Sequence, residues 1–429
     1  MALRSIVPSM GPTEEQRIIY KLAWDINGVW LKTPGSSPDF EAALQIHIEQ
    51  QLEDHAAFLG DWEIAWGPSV VQFNTSLFPV NAMCVLHSRE NPERYVVALN
   101  ATNAISPFSW IVEDFLVGRQ VPWATGNDPH ARISLCTAIG LNILVERAIP
   151  SGKRPGAGSN LTNFFNGLDE RNIDLTVTGI SLGGTLSATL ALFLNDTKHV
   201  WGAGKNVRIS AMSICGATAG NDAFAAYSDR SLPTAVRFAN TLDIVPHFWN
   251  IDTLNATKEI YRPALPPAPI INLLIDLARA HAAKGGDYLQ LRNTVGIEGI
   301  FDHDAKLPIT PGLPDPNKTP EGRFLAQAGY QHVGAYNQYF DLPGAGTDEL
   351  ARRVLDPKTI LSPAVQYAMQ KEDVDVPSIA GLAPAQTGPL TVPIDGQSVA
   401  LPTSSDSPQM TQIVAAVSSS FQKTARAGK

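Results

Sequence analysis

Between Ile173 and Leu194 the hydrophobic period of the chain changes once, within a few residues. Ile173, Leu175 and Val177 alternate with Asp174, Thr176 and Thr178, a repeat of two that suits a strand. Beyond Gly179-Ile180-Ser181-Leu182-Gly183-Gly184, the residues Leu182, Leu186, Leu190 and Leu194 recur every fourth position, which suits a helix. Residues 175–194 carry no charge, so a membrane span is the competing reading. Six hydroxyl residues, three glycines and the change of period fit a strand, a sharp turn and a helix better.

Such a unit belongs in a parallel sheet, and its surroundings repeat the alternation. Short strands are expected at 69–73, 82–87, 95–99, 207–215 and 235–240, with helices at 133–147 and 160–168 between them. The fold class expected is α/β, with a mostly parallel central sheet covered by helices on both faces. Two amphipathic stretches, 14–29 and 40–59, predict a helical N-terminal extension over residues 1–68, ahead of a main domain at 69–343. Residues 263–320, with a helix at 270–282 and a Gly/Pro/Asp-rich loop, read as an insertion in that domain. Residues 344–429 are Pro-, Ser- and Ala-rich and read as an irregular C-terminal extension, with a hairpin around Asp395-Gly396.

Hydrophobic residues make up 44% and charged residues 17%, enough apolar material for a large core and too much for a disordered chain. A net charge of −9 without a Lys/Arg cluster argues against nucleic acid or an anionic membrane surface as the main partner. Cys84, Cys136 and Cys215 lie in apolar runs without metal-like spacing and read as buried free thiols. The first residues, with Arg4, Pro8 and Pro12, do not form a secretory signal, which leaves the compartment open, since a removed signal would look the same.

Gly179-Ile180-Ser181-Leu182-Gly183 is a G-x-S-x-G pentapeptide. A plain glycine turn with an incidental serine would have the same letters, so the context decides. A strand running straight in and a helix straight out force Ser181 onto a tight turn. That turn presents the hydroxyl at the carboxyl edge of the sheet and the positive end of the helix. A serine hydroxyl needs a base, and the base needs an orienting carboxylate. Asn240-Thr241-Leu242-Asp243-Ile244-Val245-Pro246 supplies an acid directly after a strand, and Tyr330-Gln331-His332-Val333-Gly334 supplies a histidine, expected in a loop. His247 follows Asp243 too closely for acid and base to approach Ser181 from separate segments.

In these segments the chain resembles the class 3 lipases, the fungal-type triacylglycerol lipases and their bacterial relatives. Gly216 to Phe224 resembles the family's Gly-x-Pro-x-x-Gly-Asn segment, with Ala217-Thr218-Ala219 at its centre. The resemblance runs over roughly 95–339 and implies an α/β-hydrolase fold with Ser181 as nucleophile, His332 as base and Asp243 as its orienting acid. Leu99-Asn100-Ala101-Thr102 stands where the family has Phe-Arg-Gly-Ser or -Thr, without the arginine and glycine. Thr102 and the backbone N–H of Leu182 are the implied oxyanion hole. The family places a lid next. Ile105, Phe108, Trp110, Ile111, Val112 and Phe115 match either that mobile cover or an ordinary buried helix, and the 270–282 helix is a rival cap.

The reaction implied is hydrolysis of a carboxylic ester, an acylglycerol foremost, at or away from a lipid–water interface. It requires no metal and no organic cofactor. An esterase for soluble short-chain or aryl (feruloyl-type) esters, and a non-catalytic binding protein on the same fold, are the alternatives. Oligomeric state is left open. Asp302-His303-Asp304 reads as a solvated loop, His47 and His55 as a polar helix face, and Gly156-Ala157-Gly158 as a loop rather than a dinucleotide fingerprint.

Overall fold

The computed structural model describes residues 11–31, 35–72, 81–101, 115–307, 309, 315–343, 391–394 and 397–400. Strands β1 (Trp62–Val71), β2 (Asn81–Ser88) and β3 (Arg94–Leu99) are followed by a two-stranded ribbon of β4 (Gln120–Pro122) and β5 (Arg132–Ser134). Then come β6 (Asn172–Ile180), β7 (Asn206–Ile214), β8 (Val236–Asn240) and β9 (Thr294–Ile297). The main sheet has the order β1-β2-β3-β6-β7-β8-β9. The pairs β1/β2 and β2/β3 are antiparallel, and every pairing from β3 to β9 is parallel.

Strand alternation decides which core each residue joins. Ile173, Leu175 and Val177 of β6 enter one cluster with Leu186, Leu190 and Phe193 of the helix Leu182–Trp201. On the opposite face, Ile180, Met212, Ile214 and Phe238 meet Ile19, Tyr20, Ala23 and Trp24 of the helix Glu14–Asp25. That helix starts in a capping box between Thr13 and Gln16, with Glu14 and Glu15 favourably placed at its positive end. The helix Ser37–Asp54 buries Leu44 and Ile48 against Cys84, Leu86 and Val96 of the antiparallel strands. The N-terminal helices therefore supply core to the sheet.

Several expected boundaries move. β1 begins at Trp62 rather than 69, because two register shifts, between Ile64 and Trp66 and between Trp66 and Ser69, break its alternation. The helix expected at 133–147 begins at Leu135, since Arg132–Ser134 pairs with β4, and it ends in a π turn at Ile143–Arg147. Residues 263–320, read as an insertion, hold the helix Pro269–Gly285 and also β9, the edge strand paired with β8. Thr391–Ile394 and Gln397–Ala400 pair as the expected hairpin. Among the described residues no helix is long and apolar enough to cross a membrane.

Candidate active site

β6 ends at Ile180 and the next helix starts at Leu182, which leaves Ser181 alone at the corner. Its backbone has φ 59° and ψ −116°, a region that residues with a Cβ seldom enter and that recurs at functional sites. The glycines around it are required by close approach. A Cβ on Gly179 would lie 2.5 Å from the carbonyl carbon of Gly183, and one on Gly183 would lie 2.6 Å from the oxygen of Leu99. One on Gly184 would lie 2.2 Å from the oxygen of Ile214. The first helical turn is thus pressed onto the ends of β3 and β7. Ser181 occupies the N-cap position but makes no cap hydrogen bond. Its hydroxyl faces His332 instead.

His332 Nε2 lies 2.9 Å from Ser181 Oγ, and His332 Nδ1 lies 2.9 Å from Asp243 Oδ2. The structure therefore brings together the three residues read from separate motifs. Asp243 is fully buried, and its carboxylate accepts the backbone N–H of Val245 at 3.0 Å and the hydroxyl of Tyr336 at 3.1 Å. The Tyr336 oxygen in turn accepts the N–H of Asn240 at 2.7 Å. The Asn240 side chain donates to the carbonyl of Gln331 at 3.0 Å and to its side-chain oxygen at 2.7 Å. Acid and base segments are thereby tied together directly.

His332 was expected in a loop; it sits in a π-helical turn, Tyr330–Gly334, between the helices Pro320–Gly329 and Ala335–Tyr339. Gly329 and Gly334 flank it, which is why the sequence reads as irregular there. Single π turns of this kind recur at functional sites. Burial disfavours the charged imidazole, but the Asp243 carboxylate outweighs it and holds His332 well above its ordinary pKa. Burial, then the charge of Asp243, pushes the Tyr336 phenol well up, so it remains a hydrogen-bond donor.

Two further buried groups stand beside the site, Cys215, which the sequence marks only as a buried thiol, and Arg237, which it does not single out. The Cys215 thiol lies 3.3 Å from the Ser181 N–H, which also donates to the Ile214 carbonyl at 2.9 Å. Cys215 has φ 45°, so the chain bends behind Ser181 as well as at it. Arg237 lies below the acid loop and donates to Thr294 Oγ1 at 3.1 Å and to the Pro246 carbonyl at 3.3 Å. Burial pulls its guanidinium down to about 10. Cys84 is buried and Cys136 half-buried, both free thiols as expected.

Among the described residues, Cys215, Asp243 and His332 form the one acid/His/Cys group with metal-like spacing. Both ring nitrogens of His332 and both oxygens of Asp243 are already hydrogen-bonded, and burial keeps the Cys215 thiol protonated. The donor set does not fit a resident metal. His303 is exposed in a turn, its ring against Phe301. His247 lies in the turn Val245–His247, where burial lowers its pKa against the pull of Asp243.

Leu182 is the first residue of its helix, so its N–H has no preceding turn to bond within the helix. Thr102, Ile105, Phe108, Trp110, Ile111 and Val112 lie outside the described residues. The rival cap, helix Pro269–Gly285, buries Ile271, Leu274, Ile275 and Ala278 in a cluster with Ile244, Val245 and Phe248 of the acid loop.

Residues 160–253 match the family described as lipase (class 3), a segment that runs from the approach to β6 through Asp243. Among solved structures, M37 lipase aligns with a TM-score of 0.67 and 28% identity, over 80% of this chain and 98% of its own. Lipase II from Rhizopus niveus aligns with a TM-score of 0.37 and 16% identity, over 57% of this chain and 78% of its own. A triacylglycerol lipase described as having a serine protease triad at its catalytic centre aligns with 0.36 and 19%, over 56% and 76%. The last two are too distant to bear on this chain's chemistry. A search of curated proteins finds no matching sequence. With its mostly parallel sheet, its elbow after β6 and its likeness to M37 lipase, the chain has the α/β-hydrolase fold, and its residues 160–253 match the class 3 lipase family.

Proposed function

We propose that this chain is a serine ester hydrolase of the lipase type, cleaving acylglycerol esters through an acyl-enzyme on Ser181. The observation that carries this reading is the unbroken hydrogen-bonded line from Ser181 through His332 to a fully buried Asp243, set on a strained elbow.

As Ser181 Oγ bonds to the ester carbonyl carbon, His332 Nε2 takes its proton and the carbonyl π electrons move onto oxygen. The backbone N–H of Leu182 and the contribution of Thr102 meet that oxyanion. Asp243, unable to rotate because Val245 and Tyr336 hold both its oxygens, keeps Nδ1 protonated and stabilises the imidazolium. Collapse of the tetrahedral species breaks the bond to the alkoxy oxygen, and Nε2 returns the proton to the departing alcohol. Water repeats the sequence on the acyl-enzyme and releases the carboxylic acid. The apolar side chains of 105–111 meet the acyl chains of the substrate in this reading.

The test is a panel of triacylglycerols and p-nitrophenyl esters with wild type and Ser181→Ala in parallel, followed by labelling with a fluorophosphonate. Hydrolysis by wild type alone, with the adduct on the Ser181 peptide, is expected. Active protein that takes the label elsewhere would sink the reading. Rates should also rise as a triacylglycerol passes its solubility limit, whereas smooth saturation and a preference for aryl or short-chain esters would favour the soluble esterase.

A further inference from the structure

We infer that Asn27, in the N-terminal helical extension, is a positioning residue that fixes the wall of the site opposite Asp243 and His332. This rests on the serine-hydrolase reading above and adds a role for a segment outside the matched family region.

Sheet register places that wall. Leu99 of β3 pairs with Gly179 of β6, so Ala101, two residues beyond Leu99, is level in sequence with Ser181, two beyond Gly179. Ala101 directly precedes Thr102, the residue assigned from sequence to the oxyanion hole. Beyond the last backbone bond to β2, from the Asn100 N–H to the Ala82 carbonyl at 3.1 Å, the chain leaving β3 is held at three points. Gly183 packs on the carbonyls of Leu99 and Asn100, where even a Cβ would lie 2.6 and 2.8 Å away. Asn100 accepts the N–H of Ala82 at 2.6 Å, and its amide donates to the Ala101 carbonyl at 2.6 Å. The third hold comes from outside the sheet: the Ala101 N–H donates to Asn27 Oδ1 at 2.7 Å.

Asn27 can do this because its amide has one orientation. Its NH2 group donates to the carbonyls of Ala23 at 3.0 Å and Trp24 at 3.1 Å, oxygens at the end of the helix Glu14–Asp25. The amide oxygen is thereby turned toward Ala101, and a flipped amide would set oxygen against two carbonyls. The side chain is 3% exposed, so these bonds form away from water, where an unsatisfied partner is costly. Asn27 thus transmits the position of the N-terminal helix to the backbone entering the oxyanion segment, at a site where small misplacement lowers rate without altering ground-state binding.

The experiment compares wild type, Ser181→Ala, Asn27→Ala, Asn27→Asp and Leu44→Ala on p-nitrophenyl butyrate, with butaneboronic acid as a mimic of the tetrahedral state. Leu44 is a buried core residue of the same extension and serves as the stability control. Asn27→Ala should lower kcat by about ten- to a hundredfold, keep KM within about twofold and weaken the boronic acid as much as kcat. Asn27→Asp retains an acceptor for the Ala101 N–H but sets its second oxygen against the carbonyls of Ala23 and Trp24, so it should lose kcat as Asn27→Ala does. Leu44→Ala, lowering Tm at least as far, should keep kcat within about threefold. The role is overturned if folded Asn27→Ala keeps wild-type kcat, or if Leu44→Ala loses as much. A Ser181→Ala protein as active as wild type would overturn the hydrolase reading itself; a dead Ser181→Ala beside an unimpaired Asn27→Ala overturns only the role of Asn27.

Discussion

On one side of Ser181, Asp243 and His332 stand in a buried frame in which Tyr336 bonds the acid, Asn240 bonds Tyr336, and Gln331 bonds Asn240. On the other side, the end of β3 meets a glycine contact from the elbow, a brace from Asn100 and a single bond from Asn27. The first wall is over-determined by segments that follow the elbow in sequence. The second depends on a helix from the start of the chain. A frame of many partners in a low-dielectric interior tolerates little change at the groups that react and more at its outer members. A wall with few holds transmits remote packing directly.

The largest effects should come from the reacting groups of the first wall. His332→Ala should lower kcat on the order of a million-fold, as in serine hydrolases that lose the base, while the protein stays folded. His247→Ala and His303→Ala should change rate far less. Retention of more than about a tenth of wild-type kcat by His332→Ala would assign the base wrongly, given losses of that size.

Asp243→Asn should cost about ten-thousand-fold in kcat, because the amide stabilises no imidazolium and favours the wrong tautomer. The residual activity carries a second readout. Only the neutral ring accepts a proton, so kcat/KM in wild type should fall on acidification with a midpoint above the ordinary histidine value, where Asp243 holds the group. With that charge gone, burial meets only the weaker pull of Cys215 on His332, and the acid limb should move to lower pH. An unmoved limb would mean that another group sets it.

Gly183→Ala probes the join between the walls. The added methyl must displace two backbone carbonyls at the end of β3, neither of which can rotate away. Overpacking of this kind costs about 1–3 kcal/mol in stability, and the shifted β3 end should cost about a hundredfold in kcat. Tyr336→Phe should be milder. It deletes one of several bonds to Asp243 and leaves the Asn240 N–H without its acceptor, a loss of about 1.5–3 kcal/mol for a bond to a charged group. A fall of about tenfold in kcat is expected, since the Val245 bond still orients the carboxylate. If Gly183→Ala were the milder of the two in kcat, the contrast between the walls would be reversed.

The legible parts of this molecule were those whose signal is local. The change of period at Ser181, and Asp243 just past a strand, were readable because strand, turn and helix each leave a pattern within ten residues. β9 was not, because four residues including Gly296 are too short to show alternation. His332 was found by its motif, but its helical setting was hidden by the glycines on either side. That in turn hid Tyr336, one helical turn later and 93 residues from Asp243. Asn27 and Ala101 are 74 residues apart, and Cys215 lies 34 beyond Ser181. Contacts of that kind are made by the sheet order and have no signature in either segment alone.

The smallest effect expected from the first wall is on stability, and its sign follows from the same ion pair. His332 has a folded-state pKa above its unfolded value near 6.5, so folding favours the protonated form. Its contribution to stability is fully present below the unfolded value and is lost as pH rises through the folded one. In Asp243→Asn the largest raising charge is gone while burial remains, so the folded ring should be harder to protonate than in wild type, and the contribution should shrink. Urea midpoints of wild type and Asp243→Asn, measured from about pH 5.5 to 9, isolate this group, because titrations elsewhere in the fold cancel in the difference. The gap in stability in favour of wild type should be widest at the acid end and narrow toward the alkaline end. A gap that is constant with pH would show that Asp243 holds the imidazole in place without setting its charge.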